Sequence, residues 1–472
     1  MCRLLKITAM SAALWLLPIA AIAQVAMEDL EGAWLGSMKV PDGPTLRVGV
    51  EILKKADGSW GGNVASPDQG VRYMTAAKVG LEGEVLRVDL AGAPLTISGT
   101  YDAASRRISG EFMQGDSHFE LQLEQVPALP ETPRPQTPTG DLPYEQAEVS
   151  INNIADQIWL AGTLTLPADD RTHPAVLLLA GSGPSHRDSY SAGHRPFQVL
   201  ADHLTRQGYI VLRTDKRGVF KSGGVFDGAD TADFARDAQA AVRFLKHHPR
   251  VDPSAIALIG HSEGSLVAAM VAVAEPVHAI ISMAGPGLSV HEILLRQDQT
   301  EPAAKGASAA DVRVLLEFSR RFYQTALGAP DATQRKLRLQ ALYDALEGPE
   351  GAIVNRWNDR TGTLNVDQAA KDSFVRFLSN DPARYWRQLS IPVLVLNGDK
   401  DVQVSAQDNV PVIVEALAQR QAPVESKIFP GLNHMFQQAD SGGTDEYGQI
   451  SETLNPALLT TVHDWLDKTL AP

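Results

Sequence analysis

A serine flanked by glycines, Gly260-His261-Ser262-Glu263-Gly264, stands between the apolar run Ala255 to Ile259 and a stretch with helical spacing that opens at Leu266. In a strand-turn-helix setting this spacing puts the serine on a sharp, strained turn, and the glycines let the flanking backbones approach closely. The helix that starts there offers free amides to developing negative charge. A serine hydroxyl attacks poorly until a base takes its proton, and the base needs a carboxylate to hold its tautomer. Both partners are expected downstream, just past the ends of strands. Gly398-Asp399-Lys400-Asp401 follows the run ending at Leu396, and Gly431-Leu432-Asn433-His434 follows the run ending at Phe429. Of the 12 histidines, His434 alone occupies the loop after the last apolar run, which makes it the expected base. His247 and His248 end a helix and His261 lies in the turn, where it cannot reach round as base. His186 and His194 sit in a loop near the site, where contact with substrate is the alternative to the structural role that is the stronger expectation. Asp401 is preferred to Asp399 as the acid, because it lies further round the loop with Val402 and Val404 to fix it by packing; Asp399 is then a turn residue. The charge developing on an attacked carbonyl oxygen calls for two backbone amides. One is that of Glu263, directly after the serine. The other is assigned to Ser182 in Ala180-Gly181-Ser182-Gly183-Pro184, whose glycines let backbone face a substrate. The chemistry these groups suit is acyl transfer through an acyl-enzyme intermediate.

The elements that must position them follow a repeating order. Val176 to Leu179 is a continuous apolar run, as a strand buried on both faces requires. Phe197, Leu200 and Leu204 then recur at helical spacing, Gly208 ends that helix, and Ile210 to Leu212 is the next strand. Phe234, Ala238, Ala241 and Leu245 form the inner stripe of a longer helix, and the strand before Ser262, its helix and the strand Ala279 to Met283 continue the rhythm. Such alternation predicts a mainly parallel sheet with helices on both faces. Between about residues 287 and 388 the apolar residues keep helical spacing but no buried strand occurs, which reads as a helical cap inserted into this domain. The pattern resumes with strands at Ile391 to Leu396 and Val424 to Phe429 and a closing helix through Leu458, Val462 and Trp465.

Upstream the period is two. Leu46, Val48, Val50 and Ile52 alternate with polar or small residues, as do Leu86, Val88 and Leu90, and turn pairs such as Asp57-Gly58 separate the runs. Residues 24–126 are therefore expected to form a small all-β barrel or sandwich. Trp34 could plug the base of a barrel, but a plain core role is the stronger expectation. Residues 127–143 carry Pro127, Pro130, Pro133, Pro135, Pro138 and Pro143 and are expected to be a semi-rigid linker into a catalytic domain spanning 144–472. Arg3 and Lys6, an apolar run from Ala12 to Leu17, and Ala21-Ile22-Ala23 have the order of a cleavable secretory signal over residues 1–23. Secretion to a bacterial periplasm is the expectation. The only cysteine, Cys2, would leave with that segment, so the mature chain is expected to have no thiol chemistry.

A formal charge of −14 argues against nucleic acid or an anionic membrane as the main partner, and no stable membrane insertion is expected after signal cleavage. No zinc-protease, Cys/His or dinucleotide motif occurs, so neither metal nor cofactor is expected. Taken together, GHSEG, the segment Gly181 to Asp188, the TDKRG turn from Thr214 to Gly218, GDKD and GLNH resemble the α/β-hydrolase superfamily, and within it two-domain bacterial esterases related to dienelactone hydrolases and acyl-CoA thioesterases. The resemblance covers residues from about 145 to 470. It implies a Ser-Asp-His triad, with the family's aspartate spacing landing on Asp401, and a lipocalin-like accessory barrel at the N-terminus. Ala180 departs from the pattern, since many relatives carry histidine before the glycine. The expected function is that of a carboxylesterase acting on a small-molecule ester. A peptidase, amidase or thioesterase on the same fold is the alternative, and a non-catalytic binding protein is a third reading that complete triad candidates count against. Neither the acyl group, the alcohol nor the oligomeric state is readable from these residues.

Overall fold

The computed structural model describes residues 25–470 apart from 41–43, 68–70, 91–94, 116, 131–133 and 362–363. The expected signal segment and Cys2 thus lie outside the described residues.

Eight strands follow one another around a closed barrel: β1 (Gly32–Lys39), β2 (Thr45–Lys54), β3 (Trp60–Ser66), β4 (Val71–Glu82), β5 (Val85–Leu90), β6 (Leu95–Asp102), β7 (Arg107–Gln114) and β8 (Ser117–Val126). Every neighbouring pair is antiparallel, and β1 closes the ring by pairing with both β2 and β8. Alternation along these strands sends Val48, Val50, Ile52, Leu86, Val88 and Ile97 inward. Eight strands enclose a space that side chains alone suffice to fill. Trp34 is a core residue: it is fully buried, donates its indole N–H to Leu30 O at 2.8 Å and meets Tyr101 edge-on at 5.8 Å.

The proline-rich segment behaves as a strap more than as a spacer. Arg134 donates to Ala192 O at 2.9 Å, Gly448 O at 2.8 Å and Ile450 O at 2.7 Å, and Gln136 bonds Leu454 O at 2.7 Å and accepts from the Leu454 amide at 3.1 Å. The Thr137 amide closes a turn onto Arg134 O at 3.0 Å, and these long polar side chains fasten the segment down. The barrel also touches the second domain, with the Ala56 amide donating to Lys221 O at 2.6 Å.

The second sheet adds β9 (Tyr144–Asn153), β10 (Ile158–Pro167), β11 (His173–Leu179), β12 (Ile210–Thr214), β13 (Val251–His261), β14 (Ala279–Met283), β15 (Val393–Gly398) and β16 (Val424–Phe429). Their order is β16-β15-β14-β13-β11-β12-β10-β9. The six strands from β11 to β16 run parallel, while β10 is antiparallel to both β12 and β9. This antiparallel edge pair precedes the first strand expected from the apolar runs. Helices α1 (Pro196–Arg206), α2 (Thr231–His247) and α3 (Glu263–Ala274) fall among these strands. The chain leaves β11 for β12 on one side and then crosses to β13 on the other. The carboxyl ends of β11 and β13 therefore flank the crevice where such sheets bind ligands.

Between β14 and β15 lies the helical insertion: α4 (Val290–Ala304), α5 (Ala309–Gly328), α6 (Ala332–Asp344), α7 (Gly348–Thr361), α8 (Val366–Ala369), α9 (Asp372–Leu378) and α10 (Ala383–Trp386). It has a core of its own around Leu315, Phe318, Phe322, Leu339 and Trp357. Arg376 pairs with Asp230 and Lys371 with Asp227, which ties the insertion to the loop before α2. α11 (Ala406–Ala418) and α12 (Pro456–Leu470) complete the layers. Leu458, Val462 and Leu466 of α12 pack with α1 on one face, and Ile413 and Leu417 of α11 pack with α2 and α3 on the other.

Candidate active site

Ser262 occupies the one-residue turn between β13 and α3 with φ 55° and ψ −126°, a conformation a non-glycine residue adopts only when its surroundings hold it. The surroundings are visible. A Cβ on Gly260 would lie 2.2 Å from Gly264 O, and one on Gly264 would lie 2.0 Å from Leu179 O. Both glycines are required by contact with backbone that has no room to move. The Ser262 amide donates to Met283 O at 2.9 Å, which anchors the turn to the neighbouring strand.

His434 and Asp401 meet across the loops after β16 and β15. His434 Nδ1 lies 2.8 Å from Asp401 Oδ2, so the ring's Nδ1–H donates to the carboxylate and Nε2 is left to act as a base. The other carboxylate oxygen, Oδ1, accepts from the amides of Gln403 at 2.9 Å and Val404 at 2.8 Å. The Asp401 side chain is completely buried, so its three donors replace water. Asp399 faces elsewhere and accepts from the Gly431 amide at 2.7 Å, as a turn residue does. The His434 loop is stitched by the preceding residue: Asn433 is fully buried and its Oδ1 accepts from the amides of Met435 at 3.0 Å and Gln437 at 2.9 Å.

Both expected oxyanion residues, Ser182 and Glu263, line the same cavity as Ser262 and His434. Neither amide donates to an acceptor among the described residues. For Glu263 that follows from its place as the first residue of α3, where helical amides have no partner within the helix. Gly181 is pressed against the serine, since a Cβ there would stand 3.0 Å from Ser262 Cβ.

The cavity measures about 510 Å³ and has two kinds of wall. Val290, Ile293 and Leu294 of α4 and Phe377 of α9 supply an apolar side from the insertion. Hydroxyls of Ser185, Ser189, Tyr190 and Tyr447 supply a polar one. Glu263 is the one carboxylate among the described lining residues, and its oxygens are engaged by Thr231 Oγ1 at 2.7 Å and Lys216 Nζ at 3.6 Å. Burial, reinforced by the charge of Asp401, pushes the Tyr447 phenol well above its ordinary range, so it stays a neutral hydrogen-bonding group.

The other histidines take the structural roles expected of them, with one addition. His194 is buried between Thr453 Oγ1 at 2.9 Å and Tyr447 O at 3.0 Å, and the His186 ring lies tilted at 32° to that of Tyr190 with ring centroids 5.9 Å apart. Burial pushes both down to about 4. His261 does more than fill the turn: its Nε2 lies 2.9 Å from His434 O, so it donates there and props the loop that carries the expected base. Burial, then the neighbouring His434 ring, pushes His261 down to about 3. Residue spacing shows nothing of this contact, nor of the grip of Lys216 on Gly181 O at 2.6 Å. Beside the expected oxyanion loop, Arg187 joins Asp215 Oδ2 and Glu148 Oε1, each at 2.8 Å. The GSGPSHRD and TDKRG segments are therefore two halves of one buried ion network.

Comparison with known proteins yields a family match, described as serine aminopeptidase, S33, over residues 192–438. That range includes Ser262, Asp401 and His434. Esterase EstD of Thermotoga maritima is 24% identical over 325 residues, which is 69% of this chain and 68% of that protein. A non-heme haloperoxidase of Rhodococcus erythropolis is 26% identical over 238 residues, 49% of this chain and 77% of that one. Among solved structures, an esterase of Pyrococcus furiosus aligns over 72% of this chain and 98% of its own, at 18% identity and a TM-score of 0.44.

Proposed function

Because the chain belongs to the serine aminopeptidase (S33) family of α/β-hydrolases, we propose that it hydrolyses carboxylic esters with Ser262 as nucleophile, His434 as base and Asp401 as the acid that orients it. The Ser262 oxygen adds to the ester carbon while its proton passes to His434 Nε2. The amides of Ser182 and Glu263 hold the oxyanion. Collapse expels the alcohol, which takes the proton from His434, and water then cleaves the acyl-enzyme by the same steps in reverse.

One observation carries this reading: the His434–Asp401 pair at 2.8 Å opens onto the cavity that also holds Ser262 on its strained turn.

The family's description favours a second reading, removal of N-terminal residues from peptides. Such a substrate presents an α-ammonium group, which needs a carboxylate with free acceptor capacity in the pocket. Glu263, the one carboxylate lining the described cavity, is already engaged by Lys216 and Thr231. That supports a neutral substrate, and esterase EstD as a relative points the same way. The test compares p-nitrophenyl esters with aminoacyl p-nitroanilides on purified enzyme. Esters are expected to give a kcat/KM more than about 200-fold higher, beyond the roughly 10- to 200-fold that one pocket contact discriminates. Anilides turned over as fast as esters, and faster than their N-acetylated forms, would establish the peptidase reading instead.

A further inference from the structure

Lys216 stands at the end of β12 with its side chain only 9% exposed, and it belongs to neither the expected triad nor the expected oxyanion pair. Its Nζ donates to Gly181 O at 2.6 Å, lies 3.6 Å from Glu263 Oε2 and sits 4.1 Å over the centre of the Phe234 ring. The Lys216 amide also donates to Ser185 O at 3.1 Å, so main chain and side chain grip the same loop. Glu263 is held from the other side by Thr231 Oγ1 at 2.7 Å.

These contacts bear on the oxyanion amides through peptide geometry. In a trans peptide the carbonyl of one residue and the N–H of the next point in opposite directions. A cation that fixes Gly181 O therefore also fixes the direction of the Ser182 N–H. The same cation pairs with the side chain of Glu263, whose own amide is the second donor. One buried ammonium thus connects the two pieces of backbone that must converge on a single oxygen atom, and misplacing either donor by a fraction of an ångström weakens it most in the transition state.

We propose that Lys216 is a positioning residue that aligns the Ser182 and Glu263 amides into one oxyanion hole through its bonds to Gly181 O and Glu263. This rests on the ester-hydrolase reading of Ser262. Lys216 touches no substrate, so its loss lowers kcat and spares ground-state binding.

Lys216→Met keeps the buried stem and removes the charge and the donors. Steady-state kinetics on a p-nitrophenyl ester are paired with inhibition by an aliphatic trifluoromethyl ketone, to which the Ser262 oxygen adds so that the ketone oxygen becomes an oxyanion in the hole. Loss of a whole oxyanion donor costs about 100- to 1,000-fold in kcat. A misaligned pair is expected to lose about 10- to 100-fold, with KM within about threefold and inhibitor affinity weakened by the same factor as kcat. A circular-dichroism melt checks the fold. Should Lys216→Met not fold, Thr231→Val, which frees one oxygen of Glu263, is expected to give a smaller parallel fall in kcat and in inhibitor affinity. Unchanged kcat, or a fall in kcat with inhibitor affinity intact in whichever variant folds, overturns the proposal. Ser262→Ala run alongside separates the two claims: an active, folded Ser262→Ala enzyme sinks the hydrolase reading itself, whereas an inactive one with a fully active Lys216→Met sinks the role of Lys216 alone.

Discussion

Asp399 and Asp401 lie two positions apart, yet their neighbours divide their work. Asp401 is bonded to His434 at 2.8 Å and to two amides, whereas Asp399 spans to the Gly431 amide. Asp401→Asn replaces the acceptor by a group that favours the wrong histidine tautomer, and kcat is expected to fall by up to about 10,000-fold. Asp399→Asn keeps an oxygen for Gly431, so its kcat should stay within about threefold of the parent. Steady-state kinetics on both variants decide the matter, and the reverse ranking would assign the acid to Asp399. At this scale the sequence is legible where the constraint is local. Gly260 and Gly264 are spaced by the steric demands of their own turn, and Asp401 and His434 stand just past the ends of the last two strands, three residues after Gly398 and five after Phe429. It is illegible where the constraint is a contact between distant side chains. His261 meets His434 across 173 residues and Lys216 meets Gly181 across 35, and no local pattern marks either pair.

The insertion carries the apolar wall of the cavity, and Phe377 on α9 is a half-buried part of it. Phe377→Ala vacates space at the wall with little loss of core packing. The variant is expected to shift preference toward longer acyl chains by several-fold in relative kcat/KM, about the size of one or two methylene contacts. A panel from acetate to decanoate esters measures this, and an unchanged profile would remove the insertion from the acyl pocket. The insertion's helical character is readable where a helix buries a stripe, as Leu315, Phe318 and Phe322 do along α5. The antiparallel pair β9 and β10 is harder to read. Ala147, Val149 and Ile151 alternate on an edge strand with polar outward positions, which gives no continuous apolar run like that of β11, so the expected sheet begins two strands late.

Arg134 shows that the parts of the chain are less separate than proline content alone suggests. Its three bonds hold the Ala192 and Gly448 segments together, and these border Tyr190 and Tyr447 on the polar wall of the cavity. Arg134→Ala should therefore raise KM several-fold with little change in kcat; kinetics showing KM unaltered would reduce the strap to a tether. Proline density in the segment is visible in the sequence, but the docking depends on carbonyls 58 to 316 residues away, which it cannot register. Part of the molecule's response to acid follows from three buried histidines. His186 and His194 are held at about 4 and His261 at about 3, all below the ordinary value near 6.5. As pH falls below about 6.5 the unfolded chain takes up protons that the fold refuses, so stability is lost from there down toward about 4, and above about 6.5 these groups have no effect. Thermal melts are expected to show a lower Tm at about pH 5 than at about pH 7, before most carboxylates titrate. A Tm that is flat across that window would mean the three rings are not held neutral.

The account turns on Ser262 as the atom that carries the acyl group, and covalent trapping tests it most directly. The full chain is treated with a fluorophosphonate and analysed by intact mass and peptide mapping, beside Ser262→Ala of confirmed fold. A single adduct on the peptide containing Ser262, absent from the variant, is the predicted result. An adduct on another serine, or labelling that persists in folded Ser262→Ala, would contradict it.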